Sequence, residues 1–229
     1  MPNQPIPERF SDWNEEMVAR HDPENFHHHP RAVVRWVEGA RVRAVLKLLR
    51  SGPGDRLLEV GCGAGNVLAR VAARERHGLD LSHRLVLRAR EQLRDSARIV
   101  LADAENLPYA DAAFDRVICS SVLSHVLHPE RVLNEAFRVL RPGGRLVVSV
   151  SYEAAIERGI RLARALGLGF LIGGRNAAVG EMVYASEYHL HHFDLKLLRE
   201  MARNLPPERA LKRIPVFFYP AHLVALYVK

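Results

Sequence analysis

Cysteine is scarce in this chain: Cys62 and Cys119 are the only two in 229 residues. Neither has a neighbour at the close spacing of a zinc site or a redox pair, so structural zinc and a disulfide framework are not expected. Long apolar runs are also missing, and none approaches the roughly 18 residues that a membrane-spanning helix needs. The amino terminus, MPNQPIPERF, lacks the basic-then-apolar pattern of a secretory leader. Together these absences predict a soluble, cytoplasmic protein. Aromatic residues make up 7% of the chain, and no aromatic-and-basic stacking pattern of a single-strand binder is present. Acidic residues are the minority, 26 against 33 Lys and Arg, for a formal charge of +7. That balance permits attraction to anionic lipids or acidic small molecules without selecting among them.

What is present is 48% apolar sequence, enough for one large α/β domain. Residues 1–30 have no sustained period and read as an arm with at most a short helix near Trp13. From Arg31 to Arg50 the apolar row Val33, Val37, Ala40, Ala44 and Leu48 has helical spacing and predicts a lead-in helix that stops at Ser51, Gly52, Pro53 and Gly54. Beyond it, apolar runs at Arg56–Val60, His77–Leu81, Arg98–Ala102, Phe114–Ser120 and Arg145–Val150 alternate with helical stretches near Gly65–Arg74, Ser82–Asp95 and Pro129–Leu140. Such alternation predicts a doubly wound, mostly parallel sheet. The tail adds a helix capped by Asp194, then two runs, Leu211–Tyr219 and His222–Val228, that suit an antiparallel pair and bring the sheet to seven strands. The expected division is an arm and lead-in helix over 1–50 and a domain over 51–229, with a small helical lid inserted at about 151–187.

Ligands of doubly wound sheets bind at the carboxyl ends of the strands. There the first strand runs into Gly61, Cys62, Gly63, Ala64, Gly65 and Asn66, a turn whose glycines leave backbone N–H groups open to a ligand. A dinucleotide fingerprint needs glycine where this chain has Asn66, so the spacing argues against NAD and suits S-adenosylmethionine. Asp80 follows at the end of the second strand, placed to accept from both hydroxyls of a ribose. Asp103, at the end of the third, is placed to accept from an adenine amino group. Each feature alone fits an ordinary turn or cap; three at the ends of successive strands point to a nucleoside.

The segments LLEVGCGAG, GLDLS, DAENLP, FDRVICSSVLSHV and EAFRVLRPGGRLVVSV resemble the ordered motifs of class I S-adenosylmethionine-dependent methyltransferases. The similarity is to the type 11 branch, which includes ubiquinone-biosynthesis methyltransferases. It covers about residues 55–150 and implies a Rossmann-like methyltransferase fold. The resemblance further implies that Glu59 and the loop of Gly61, Cys62, Gly63 and Gly65 hold the methionine part. Asp80 with Leu81 would hold the ribose, Asp103 with Ala104 the adenine, and Ser120 with Ser121 the cofactor's other side.

Methyl transfer from a sulfonium is an in-line displacement, and a base is needed only if the acceptor must lose a proton. His125, just after the fourth strand, is the candidate catalytic base. His189 and His191 are candidates for the acceptor side, while no metal site is expected. Exocyclic base methylation is disfavoured because Cys119, Ser120, Ser121 and Val122 stand where an Asp or Asn, Pro, Pro, aromatic motif would lie, and neither cysteine suits C5 chemistry. Nucleic acid is therefore not an expected partner; a small-molecule or lipid acceptor is. The basic lead-in segment and the Arg-rich insert also raise peripheral membrane contact as an expectation. The competing readings are an NAD-linked oxidoreductase, which the glycine spacing opposes, and a non-catalytic S-adenosylmethionine-binding partner of an active subunit.

Overall fold

The computed structural model describes residues 9–20, 22, 30, 32–152, 155, 158, 161, 165, 167, 189–216 and 219–229. Most of the expected lid at 151–187 and the run His27–His29 lie outside the described residues. Two helices come first, α1 (Phe10–Arg20) and α2 (Ala32–Leu49). They are followed by β1 (Arg56–Val60), β2 (Glu75–Asp80), α3 (His83–Leu93), β3 (Arg98–Leu101) and β4 (Phe114–Ser120). After these come α4 (Pro129–Arg138), β5 (Leu140–Ser151), α5 (Leu195–Met201), β6 (Ala210–Val216) and β7 (Tyr219–Val228).

The strands form one seven-stranded sheet in the order β3-β2-β1-β4-β5-β7-β6. The pairs among β1 to β5 are parallel; β7 runs antiparallel to both β5 and β6. The strand order therefore reverses between β1 and β4, and the crevice at that switch point is where such sheets take ligands. The parallel centre is covered on both faces, which is why Val117, Ile118 and Cys119 of β4 are consecutive apolar residues and all buried. One cluster joins Val45 and Leu49 of α2 and Val86 of α3 to Leu57, Ile118 and Val147. The other joins Val132 and Leu133 of α4 and Leu198 of α5 to Leu58, Val117 and Val148.

Local chemistry sets the element ends. Ser82 caps α3, its Oγ accepting from the Leu85 N–H at 3.3 Å, and Asp194 caps α5 by accepting from the Leu197 N–H at 2.7 Å. Pro129 opens α4, with Glu130 in its first turn and Arg138 in its last, the arrangement that the helix dipole favours. Three expectations are corrected. The helix expected over Gly65–Arg74 is a single turn of 3-10 helix, Leu68–Arg70. The strand expected from Arg145 begins at Leu140 and carries Pro142, Gly143 and Gly144 along a β-bulge against β4. The helix near Trp13 is longer than expected, spanning 11 residues, with Asn14, Met17 and Val18 buried.

Candidate functional site

The site is built on the ends of β1, β2 and β4. Straight out of β1, the backbone enters the left-handed region at Gly61 (φ 65°), Gly63 (φ 54°) and Gly65 (φ 88°). The first and third glycines are sterically required. A Cβ on Gly61 would lie 2.5 Å from Val122 Cγ2, and one on Gly65 would lie 2.7 Å from Leu93 Cδ1. At Gly63 a Cβ would meet nothing within 4 Å, so this is the open side of the loop. The Cys62 N–H donates to the Leu79 carbonyl at 2.9 Å and pins the loop to β2. The thiol of Cys62 points inward, where its Sγ would lie 2.9 Å from a Cβ on Gly78. Cys62 thus presents backbone, not sulfur, to the site.

Asp80 reads the same loop from the end of β2. Its Oδ2 accepts from the Gly63 N–H at 2.8 Å and its Oδ1 from the Ser82 N–H at 3.0 Å. Burial raises its carboxyl pKa, and the N–H donors of Ser82, Gly63 and Leu81 oppose that shift. Beneath the loop, Glu59 is 2% exposed. Its Oε2 has no hydrogen-bond partner, and burial pushes its pKa up to about 8 against the lowering influence of Arg41 and the Leu68 N–H. A buried carboxylate oxygen without a partner, beside a loop with one open side, fits the ammonium end of an amino acid. The S-adenosylmethionine expected there is thus compatible with the residues present.

The family comparison decides the class. Residues 58–148, the segment that contains most of β1, all of β2, β3, β4, α3 and α4, and most of β5, match the family model described as a methyltransferase domain. This segment is similar to the type 11 methyltransferase domain.

The chain is 39% identical to a ubiquinone/menaquinone biosynthesis C-methyltransferase of Ruegeria sp., over 46% of each chain. It is 34% identical to the 27-O-demethylrifamycin SV methyltransferase of Amycolatopsis mediterranei, over 66% of this chain and 57% of that one. The chain thus spans about half the length of these curated relatives. The fold matches that of a Thermotoga maritima S-adenosylmethionine-dependent methyltransferase, described as a possible histamine N-methyltransferase. That match has a TM-score of 0.69 and 20% identity, and covers 95% of this chain and 99% of that one.

The other expected residues are distributed as follows. Leu81 follows Asp80 at the mouth of the methyltransferase domain, partly buried. Asp103 is exposed and caps its own turn, accepting from the Glu105 N–H at 2.8 Å, while Ala104 is buried. This loop is braced from below, where the Leu107 N–H donates to Glu135 at 2.9 Å and the His128 N–H to Glu105 at 2.8 Å. Ser121 takes a left-handed conformation, φ 59°, at the end of β4, which is strain of the kind that collects at functional sites. His125 and His189 lie together, with ring centroids 4.6 Å apart. His191 does a different job. Its Nε2 lies 3.0 Å from the Val126 carbonyl and its segment is anchored by the Leu190 N–H on the Ser124 carbonyl at 2.7 Å, so it holds the 189–193 strip onto the loop after β4.

Arg41, Glu38, Ser120 and Ser149, of which sequence reasoning assigned Ser120 alone, form one hydrogen-bonded group at the carboxyl ends of β4 and β5. Arg41, 5% exposed, comes from α2. It donates through Nη1 to Ser120 Oγ and, at 3.2 Å, to Ser149 Oγ, and through Nε at 2.9 Å and Nη2 to the Glu38 carboxylate. The two serine hydroxyls are 2.9 Å apart. On the far side, His222 of β7 has a buried, unpartnered Nδ1. Its pKa is pushed down to about 4 by burial first and Arg41 second, with His189 adding and Glu38 and the Val150 carbonyl opposing. The signal for Arg41 was available: it stands four residues after Val37 and three before Ala44, on the apolar row itself, three residues after Glu38, the acidic residue of α2.

Proposed function

We propose that this chain transfers the methyl group of S-adenosylmethionine to a small organic acceptor. The observation that carries the reading is the cradle at the end of β1, where the unpartnered Glu59 Oε2 and the open Gly63 backbone lie beside the Asp80 carboxylate. In this reading Glu59 and the loop Gly61, Cys62, Gly63 and Gly65 hold the methionine end. Asp80 and Leu81 hold the ribose, Asp103 and Ala104 the adenine, and Ser120 and Ser121 close the remaining side. When bound, the cofactor supplies a methyl group activated by a positively charged sulfur.

The protein's contribution is positioning. Holding the acceptor roughly 3 to 3.5 Å from the methyl, in line with the leaving sulfur, supplies most of the rate gain open to such a reaction. In this reading the paired rings of His125 and His189 face the acceptor, and His125 takes a proton when the acceptor carries one. The small-molecule class is supported by the relatives, named for ubiquinone/menaquinone biosynthesis and for a rifamycin. A screen of phenolic, quinol and macrolide-like compounds with radiolabelled S-adenosylmethionine tests the proposal. Transfer of label to one of them, with release of S-adenosylhomocysteine, is expected; tight cofactor binding with no transfer to any compound class would count against catalysis.

A further inference from the structure

We propose that Arg50, Arg116 and Arg145 form an anion site on the floor of the sheet that takes a phosphate group, either free phosphate or the phosphoryl head of a larger molecule. The site lies at the amino ends of β4 and β5, the edge of the sheet opposite the cofactor cradle. It goes beyond the methyltransferase reading and stands independently of it.

In the parallel register Arg116 of β4 stands directly opposite Arg145 of β5, with Leu57 of β1 and Val228 of β7 on either side in the same row. In-register neighbours on adjacent strands share a face and lie roughly 4.8 Å apart. Leu57 and Val228 belong to one apolar cluster with Leu48 and Leu49 of α2, so both arginines are on the face that α2 covers. In keeping with this, Arg145 donates from Nη1 to the Leu48 carbonyl at 2.8 Å. Arg50 follows two residues after Leu48, where the chain turns off α2 at a φ of 51°, and is exposed. Burial first, then Arg50 and Arg116, lower the pKa of Arg145, as neighbouring cations do.

Asp55 is the carboxylate in ion-pair contact with this group among the described residues. Its Oδ2 lies 3.5 Å from Arg116 Nε and accepts from the Gly52 N–H at 2.8 Å. The nearby acids are engaged elsewhere, Asp115 by the Arg56 N–H and Arg141, and Glu75 by Arg56 and Arg74. Arg116 donates from Nη1 to the Asp115 carbonyl at 2.8 Å, while its Nε is buried without a hydrogen bond. Like charges directly opposite on neighbouring strands are destabilising, and a buried donor left unpaired adds a further cost. Three cations against one carboxylate leave two positive charges, which a dianion balances. A tetrahedral phosphate offers oxygens to the forks of both strands at once, in the geometry that guanidinium groups match; chloride and a carboxylate carry a single charge.

Calorimetry on the full chain, at fixed ionic strength in chloride buffer, tests the site with two probes. One is inorganic phosphate at about pH 8, where it is a dianion; the other is phosphatidylcholine vesicles with and without phosphatidic acid. Saturable one-to-one binding of inorganic phosphate is expected. Arg50→Ala removes a side chain with no hydrogen bond to the described residues, and Arg145→Gln keeps a donor for the Leu48 carbonyl. Each should weaken phosphate binding roughly 10- to 100-fold, the range of one charged hydrogen bond. Added binding to the phosphatidic acid vesicles, lost in the same variants, assigns the site to a lipid headgroup; phosphate binding without it assigns the site to a free or small phosphorylated ligand. No saturable phosphate binding, or binding that either variant retains in full, would overturn the site.

Discussion

Glu59→Gln isolates the electrostatic cost of the cradle. Glu59 is buried and its pKa is raised from 4.5 to about 8, so the folded state holds the proton more tightly than the unfolded chain does. The sign follows from linkage: below about pH 4.5 both states are protonated and there is no penalty. Between about pH 4.5 and 8 the unfolded chain ionises first, and stability falls as pH rises; above about pH 8 the loss is complete. At 1.36 kcal/mol per unit, the part of this window between about pH 5 and pH 8.5 corresponds to about 4 kcal/mol. Glutamine keeps the shape and cannot ionise. Urea unfolding at these two pH values should show the unmodified protein losing about 4 kcal/mol more than the Glu59→Gln variant between them. Parallel losses in the two proteins would refute the reasoning, because they would mean that Glu59 is already ionised at neutral pH.

Gly65→Ala places a Cβ 2.7 Å from Leu93 Cδ1 at a φ of 88°, so a destabilisation of about 2 kcal/mol is expected, read as a fall in the thermal midpoint. Asp80→Asn keeps the size of the side chain but places an amide beside the Gly63 or Ser82 N–H that the carboxylate now accepts. Calorimetry should show a loss of affinity of roughly 10-fold or more for both S-adenosylmethionine and S-adenosylhomocysteine. Arg138→Met releases the Tyr109 and Leu107 carbonyls and the Glu135 carboxylate that Arg138 now binds; urea unfolding should show a loss of roughly 1 to 3 kcal/mol. His125→Ala should leave S-adenosylhomocysteine binding within about two-fold while abolishing transfer to a protic acceptor, and retained transfer would remove His125 from the mechanism.

Sequence pattern was a good guide wherever one physical rule dominated. Short apolar runs located all five parallel strands, although β5 starts at Leu140 and not at the expected Arg145, and the Asp194 cap marked its helix because a side-chain acceptor there satisfies an orphan N–H. The turn at Gly61–Gly65 was legible because its glycines serve a steric need that the structure displays directly. Less of the site was legible, since much of it comes from contacts distant in sequence. Arg41 and Ser149 stand 108 residues apart, and nothing local to either announces the other. His222 was read as the first residue of a closing strand; only the antiparallel register that sets it opposite Ser151 brings it to the carboxyl edge. Cys62 shows the reverse limit: its place in the motif is right, yet a one-residue alternation sends its thiol into the core.

The most direct test of the central claim is calorimetric titration of the purified chain with S-adenosylhomocysteine, with NAD as the comparison. The account predicts saturable one-to-one binding of S-adenosylhomocysteine and no heat from NAD. Binding of NAD, or of neither ligand, would contradict it, because the open Gly63 backbone, the Glu59 oxygen and the Asp80 carboxylate would then not form the cofactor cradle on which the proposed function stands.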